Sequence, residues 1–314
     1  MSSRLSDIDL KLLQVFIAVV ESGGFGQAQA VLNLSPSRLS TMIAELESRL
    51  EMRLCQRGRV GFRLTERGQE VYQAALRLVA GLEAFRAEIG AMRGKLVGNL
   101  AIGLVDSIIS NPAAKIAAAI NAFCQRQHEV HVTLHIDAPQ ELERKVQDGR
   151  LDLGIGAFHH VLPSLRYRAL FLEEQTLYCS KAHPLFDCDE AMLTPEELLR
   201  HDYGGRGYME GKRPLKFKAK ASSYSMEGLA MLVLSGAFIA YLPSHYAEQW
   251  VAKGEMRALL PNRMSYQSLF EVVTRRSATQ QAPAQAFLDD LARTHGQVSG
   301  GLASNMARPI IASI

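Results

Sequence analysis

The 314-residue sequence predicts an N-terminal all-α winged helix-turn-helix, a long connecting helix and a larger C-terminal α/β domain. Three observations predict it. The stretch LNLSPSRLSTMIAELESRL (32–50) reads as an amphipathic helix with a low, hydroxylated outer face. A heptad repeat runs from Val71 to Met92, and from residue 98 onward apolar strand-like runs alternate with helical segments.

Within the first fifty residues three helices can be placed. Leu10, Leu13, Phe16, Ile17 and Val20 mark the first, which ends at ESGG (21–24). A short second helix covers about 27–32 and breaks at Asn33-Leu34. The third opens with Ser35 as N-cap and Pro36 at the first helical position, where a missing N–H costs nothing. Leu39, Ile43, Leu46 and Leu50 form its buried stripe at helical spacing. About 180° away stand Ser37, Thr41, Ala44 and Ser48, all short. A merely solvated face would carry long charged side chains. The third helical position would suit a glutamate or glutamine, yet Arg38 stands there, opposing the helix dipole by roughly 0.3–1 kcal/mol. Either Arg38 is a plain surface arginine or it meets an anion outside the chain.

Two short helices, a tight break and a third helix with a small-residue ridge describe a helix-turn-helix. The major groove is ~12 Å wide and admits such a ridge. Ser37, Arg38 and Thr41 are therefore candidates for base readout. The following RGRVGFRLT (57–65) reads as a basic hairpin turning at Gly58 or Gly61, with Arg57 and Arg59 placed to neutralise phosphates. Charge distribution agrees. The net charge is +3; residues 1–95 hold 13 Lys+Arg against 10 Asp+Glu, and the remainder holds 22 of each. An excess confined to one module points to a polyanion partner for that module.

From Glu66 to Arg93 there is no proline, and Val71, Ala75, Leu78, Leu82, Phe85, Ile89 and Met92 are spaced alternately four and three apart. That seam predicts a helix pairing with another helix; docking on its own domain is the alternative. About 25 residues of helix would extend ~38 Å, and Gly90, Gly94 and Gly98 are expected to form a flexible exit.

Beyond it, strands are expected at 98–104, 130–136, 151–156, 170–179, 215–221, 237–242 and 268–274. Helices are expected at about 112–126, 139–148, 225–235, 244–252 and 283–294. The alternation argues for parallel α/β structure. The tail, 297–314, has little periodicity.

The N-terminal pattern resembles the LysR-type transcriptional regulators. It is carried by Leu13, Phe16 and Val19 with ESGGF (21–25), Ala28, Leu32, Leu34-Ser35, Leu39-Ser40, Ile43, Leu46-Glu47, Leu50, Leu54, Arg57 and Leu64-Thr65 through Gly68. The chain departs from the usual S-Q-P-A-L-S-R at 35–41, where its glutamine and later arginine are absent and Arg38 replaces an alanine. Gly26 stands for the usual Ser/Thr cap of the second helix, Gln29 for an alanine, Glu51 for a glycine and Cys55 for a phenylalanine. The resemblance adds Ser35 and Ser40 to the DNA-contacting candidates. It implies that the long helix dimerises through Val71, Leu78, Leu82, Phe85 and Ile89, and that two dimers form a tetramer.

The resemblance continues in GNLAIG (98–103), DGRLDLGI (148–155), HPL (183–185), SGAFIAYLP (235–243) and GEMRALLP (254–261). It implies a bilobal domain like type 2 periplasmic binding proteins, crossed twice near 168 and 268, with a small-molecule effector in the cleft. The expected divisions are 1–65 for the DNA-binding module, 66–94 for the linker helix and 95–296 for the effector domain. Lobe I takes about 95–168 and 269–296, and lobe II about 169–268. Carried over position by position, one cleft wall draws on Asp106-Ser107, Pro139-Gln140 and Ala157-Phe158. The other draws on Tyr203, Arg206 and Ser223-Tyr224; each of these could equally be an ordinary loop residue. An aspartate at 106 disfavours an anionic group at that point.

Other signals carry less. His131 and His135 lie ~13 Å apart along a strand, too far to share a zinc at ~2 Å per ligand; no metal and no cofactor are expected. GGRG (204–207) reads as a turn, and the lysines of 212–220 as cover for a strand edge. The four cysteines (55, 124, 179, 188) include no C-x-x-C and are expected reduced. Cys179 and Cys188 raise a minor redox-sensing alternative. No nucleophile–base–orienter set is present, so no enzyme is expected. No run of ~18–20 apolar residues occurs and no secretory signal is visible, so membrane association is not expected and the cytoplasm is. A solute-binding transport protein is the competing class, but it leaves residues 1–93 unexplained. The expected partners are double-stranded DNA, a small-molecule effector, further copies of the chain and RNA polymerase.

Overall fold

The computed structural model describes residues 7–58, 61–92, 95–208, 213–276 and 281–296. The chain divides into two compact units, one ending at Phe85 and one beginning at Arg86.

In the first unit, α1 (Asp7–Glu21), α2 (Phe25–Leu32) and α3 (Pro36–Leu50) enclose a core of Leu12, Phe16, Val19, Ala28, Leu39, Ile43 and Leu46. The second helix starts two residues earlier than expected. Its N-cap is Gly24 at φ 141, and Gly26 lies inside the helix. A side chain at Gly24 would press on Phe62, 3.1 Å away, which Phe25 meets edge-on at 5.8 Å. The tight break is Asn33 in the left-handed conformation, φ 51, a geometry asparagine tolerates well. The wing is β1 (Cys55–Gly58) paired antiparallel with β2 (Gly61–Leu64), so Gly58 and Gly61 face each other across the turn. Cys55 is buried in the core, as packing alone requires.

The long helix is α4 (Glu66–Met92), 27 residues and about 40 Å at ~1.5 Å per residue. Its first turns dock on the unit's own core through Tyr72 and Leu76, with Val71 packed alongside. Val71 is half-buried there. Farther on, Leu82, Phe85 and Met92 are exposed, while Leu78 and Ile89 are half-buried. The glycine exit is corrected. Gly90 sits within the helix, where a Cβ would fall 2.2 Å from the Val97 side chain. Gly98 lies within a strand, and Gly94 is outside the described residues.

The second unit comprises β3 (Leu96–Leu104), α5 (Ile116–Cys124), β4 (His128–Ile136), α6 (Pro139–Gln147), β5 (Leu153–Ala157), β6 (Leu165–Ser180), α7 (Pro195–Leu198), β7 (Tyr203–Arg206), β8 (Ala219–Ser223), α8 (Met226–Leu234), β9 (Ala240–Pro243), α9 (Ser244–Val251), β10 (Met256–Ala258), β11 (Ser265–Arg275) and α10 (Ala282–His295). One sheet has the order β10-β6-β11-β5-β3-β4, with β9 also on β6. It is mixed, not parallel throughout. β3 runs parallel to β4 and β5, but β6 and β11 pair antiparallel from Ser265↔Thr176 to Arg275↔Leu165. Residues 168 and 268, where the chain is expected to cross between lobes, lie on these two long strands. Residues on their length serve one core built on Ile102, Phe123, Ile155 and Phe287, and others built on Leu177, Tyr241, Leu229 and Val233.

Local expectations are revised in three places. GGRG is not a turn: 203–206 forms β7, parallel to β8. The strand expected at 215–221 begins only at Ala219, and of the lysines there Lys216, Lys218 and Lys220 are exposed. The helix expected from 112 starts at Ile116, after Lys115 takes the left-handed conformation at φ 49. The tail 297–314 lies outside the described residues.

Candidate functional site

On α3 the sequence builds a projecting ridge. Ser35 Oγ accepts the Arg38 N–H at 3.3 Å and lies 3.1 Å from Ser37 Oγ. Thr41 donates its hydroxyl back to Ser37 O at 3.0 Å, leaving the oxygen as an outward acceptor. Ser35, Ser37, Arg38, Thr41, Ala44 and Ser48 are exposed, and Ser40 is half-buried. Arg49, by contrast, is held by Glu45 and Asp9.

The wing is fixed to this helix by Glu47, whose carboxylate accepts the Leu54 and Cys55 N–H groups at 2.7 and 3.0 Å. Thr65 caps α4 by accepting the Gly68 N–H at 2.9 Å while donating to Arg53 O at 2.7 Å. Gly68 itself is required, since a Cβ there would fall 2.0 Å from Leu54 O. Arg53 and Arg63 are exposed on this wing. Arg57 pairs across the hairpin with Phe62, and Arg59 lies outside the described residues.

The second unit contains a small, partly open cavity where its lobes meet. Asp106 and Ser107 follow β3, Pro139 opens α6, Ala157 ends β5 and Arg206 ends β7; all five line it. Val105, Glu173, Tyr208, Met226, Pro243 and Phe270 complete the wall. A smaller cavity shares Pro139, Ala157 and Tyr208 and adds Gln140, Glu143, Phe158, His159 and His160.

Its polar groups are tied together. Buried Glu173 accepts from Asn111 Nδ2 at 3.0 Å, from Gln175 Nε2 at 2.6 Å and lies 2.8 Å from His245 Nε2. Gln175 Oε1 accepts from Arg206 at 2.6 Å. Asp106 accepts the backbone N–H of Met226 at the first turn of α8. A lobe I carboxylate thus occupies a lobe II helix N-terminus, where anions are favoured. Burial raises the Asp106 carboxyl above its ordinary range, opposed by the Met226 N–H and by Arg206.

The family described as "Bacterial regulatory helix-turn-helix protein, lysR family" matches residues 10–69, and "LysR substrate binding domain" matches 93–295. The chain belongs to the LysR family. It is a DNA-binding transcriptional regulator with an effector-binding domain. The transcriptional activator BauR of Pseudomonas aeruginosa is 38% identical over 92% of this chain and 96% of its own length. The SDS degradation transcriptional activation protein of a Pseudomonas species is 27% identical over 91% and 97%. Full-length AphB, a Vibrio cholerae virulence activator, superposes with a TM-score of 0.56 at 18% identity, covering 91% of this chain and 99% of that one. CbnR complexed with its target DNA gives 0.59 at 18% identity, with 91% and 99% covered. At such identity these two likenesses establish the shared fold alone.

Within this LysR fold, seven of the ten expected cleft residues line one cavity or the other: Asp106, Ser107, Pro139, Gln140, Ala157, Phe158 and Arg206; three residues stand apart. Tyr203 is 1% exposed, stacked on Phe217 at 4.7 Å in the lobe core. Ser223 closes its own turn with Ser225, and Tyr224 is 68% exposed against Gly207. Strand β7 explains Tyr203, because its pairing turns that side chain inward. Val105, Glu173, Tyr208, Met226, Pro243 and Phe270 also line the larger cavity, and no local sequence motif marks them. The redox alternative finds no support in Cys179, a fully buried strand residue whose thiol burial pushes up to about 12, far from the thiolate that reactivity needs. No group of three metal-ligating side chains occurs among the described residues, and no described helix is long and apolar enough to cross a membrane.

Proposed function

We propose that residues 1–65 read duplex DNA through the α3 ridge, that 66–94 join two copies, and that 95–296 bind a small effector between lobes I (about 95–168 and 269–296) and II (about 169–268). Ser37, Arg38 and Thr41 face base edges, Ser35 and Ser40 lie beside the phosphates, and Arg57 and Arg59 clamp the backbone from the wing. Leu78, Leu82, Phe85 and Ile89 form the pairing seam, and two dimers make the tetramer. The observation that carries this reading is the exposed, short-sided ridge of α3, capped by Ser35 and flanked by a wing that Glu47 holds in register.

Effector binding changes lobe closure and so the spacing of paired DNA modules, altering DNA bend and contacts with RNA polymerase. BauR is an activator, which supports activation as the output. The cytoplasm is the expected site of action. Two variants test the DNA reading in one binding series. Arg57→Ala should weaken all duplexes alike and lower the salt slope by about 0.9 per lost phosphate contact. Arg38→Ala should relax preference at a single base position; a base profile identical to that of the parent chain removes Arg38 from readout.

A further inference from the structure

The wall of the larger cavity carries an unusual charge for a small-molecule cleft. Asp106 and Glu173 face it with a single guanidinium, Arg206. That guanidinium donates to Gln175, which is bound in turn to Glu173, and its charge also acts on Asp106, so one positive charge serves two acids. His245 Nε2 lies 2.8 Å from a Glu173 oxygen. The α8 N-terminus, the natural seat for an anionic group, is already filled by Asp106. An incoming carboxylate would have to displace Asp106 while facing both acids.

We propose that this cleft takes a small ligand carrying a primary ammonium group, held between the carboxylates of Asp106 and Glu173. The proposal rests on the reading of the cleft as the effector site; the cavity supplies the site, and the charges on its wall select what enters. An ammonium presents three donors. Glu173 accepts three hydrogen bonds of the roughly four a carboxylate can take, so it retains room for one more. Asp106 supplies a second acceptor from the opposite lobe, so the ligand bridges the lobes. The remaining wall, Val105, Ala157, Phe270 and Pro243, is apolar and suits a short hydrocarbon chain. The cavity is narrow and partly open to solvent, which favours a small ligand of about amino-acid size or less.

Titration calorimetry of the full chain with n-butylamine, butyrate and 4-aminobutyrate separates cation from anion on one carbon frame. A series of straight-chain primary amines from ethylamine to hexylamine removes dependence on length. Saturable binding by amines and by 4-aminobutyrate, without binding by butyrate, is the expected result. Asp106→Asn should weaken amine binding about tenfold or more, the loss of one charge-assisted hydrogen bond. Should that variant fold poorly by circular dichroism, Asp106→Ser keeps an acceptor for the Met226 N–H and should lose amines and gain butyrate. Butyrate binding as tightly as butylamine, no amine binding at all, or unchanged affinity in both variants would overturn the proposal. Carboxylate binding that Arg206→Gln abolishes would leave the effector cleft standing and refute only its charge preference. Duplex selection, measured in parallel, reports on the DNA reading independently.

Discussion

Truncating Phe85 to alanine should separate the dimer without unfolding the protein. The side chain is 61% exposed on α4, and Leu82, one turn earlier on the same face, is 40% exposed. A phenylalanine buries about 150–250 Å², so roughly 100–150 Å² of this ring is open to a partner helix. At ~25 cal/mol per Å² that is about 3 kcal/mol per copy and about 6 kcal/mol in a two-fold pair. Association and side-chain ordering consume part of it, and alanine keeps a little of the area. A loss of about 2–4 kcal/mol remains, or about 30- to 700-fold in the dimer dissociation constant. Sedimentation equilibrium over a range of concentrations measures it directly. The monomer's own stability should change by only about 0.5 kcal/mol, because the side chain touches little of its own unit. A dimer constant equal to that of the unaltered chain, with circular dichroism intact, would place the pairing surface elsewhere and refute the seam.

His183 and Glu51 make two further predictions. A histidine binds its proton near pH 6.5 when unfolded, whereas burial and the adjacent His201 lower folded His183 to about 4. The unfolded state therefore binds more protons between those values, and up to about 3 kcal/mol of stability present above pH 6.5 is lost as pH falls to 4. His183→Asn retains an acceptor for the Leu185 N–H but does not titrate. Urea unfolding at pH 7 and 5 should show a smaller drop for the variant by about 2 kcal/mol; equal drops would clear His183 of the acid sensitivity. Glu51 ends α3 in the left-handed conformation at φ 54. Glu51→Gly should raise the stability of the first unit by about 1 kcal/mol through relief of that strain, and a lower melting temperature would contradict it.

The parts legible in the sequence were those set by local chemistry. Ser35-Pro36 starts α3 where capping demands, and the stripe of Leu39, Ile43 and Leu46 is buried as its period requires. The wing follows from the glycines at 58 and 61. Harder to read were features that depend on strand register. Glu173 and Phe270 reach the cavity only because β6 and β11 pair along their length, with an irregularity between Phe270 and Glu271. Met226 enters because Asp106 reaches it across 120 residues of sequence. Tyr203 looked like a loop residue beside two glycines, but parallel pairing of β7 with β8 turns it into the core. On α4 the heptad spacing does not say where docking on the module's own core ends. Val71 and Tyr72 belong to the module's own core, and exposure starts near Leu82.

The central claim is that the ridge of α3 enters duplex DNA and reads it. Selection of randomised duplexes by the purified full chain at moderate salt tests that claim most directly. The account predicts enrichment of a partly symmetric site, with protection of two half-sites about one helical turn or a multiple apart. Arg38→Ala should blur the preference at one position in each half. Recovery of no preferred sequence, or of the same sequence after Ser37, Arg38 and Thr41 are all replaced by alanine, would contradict it.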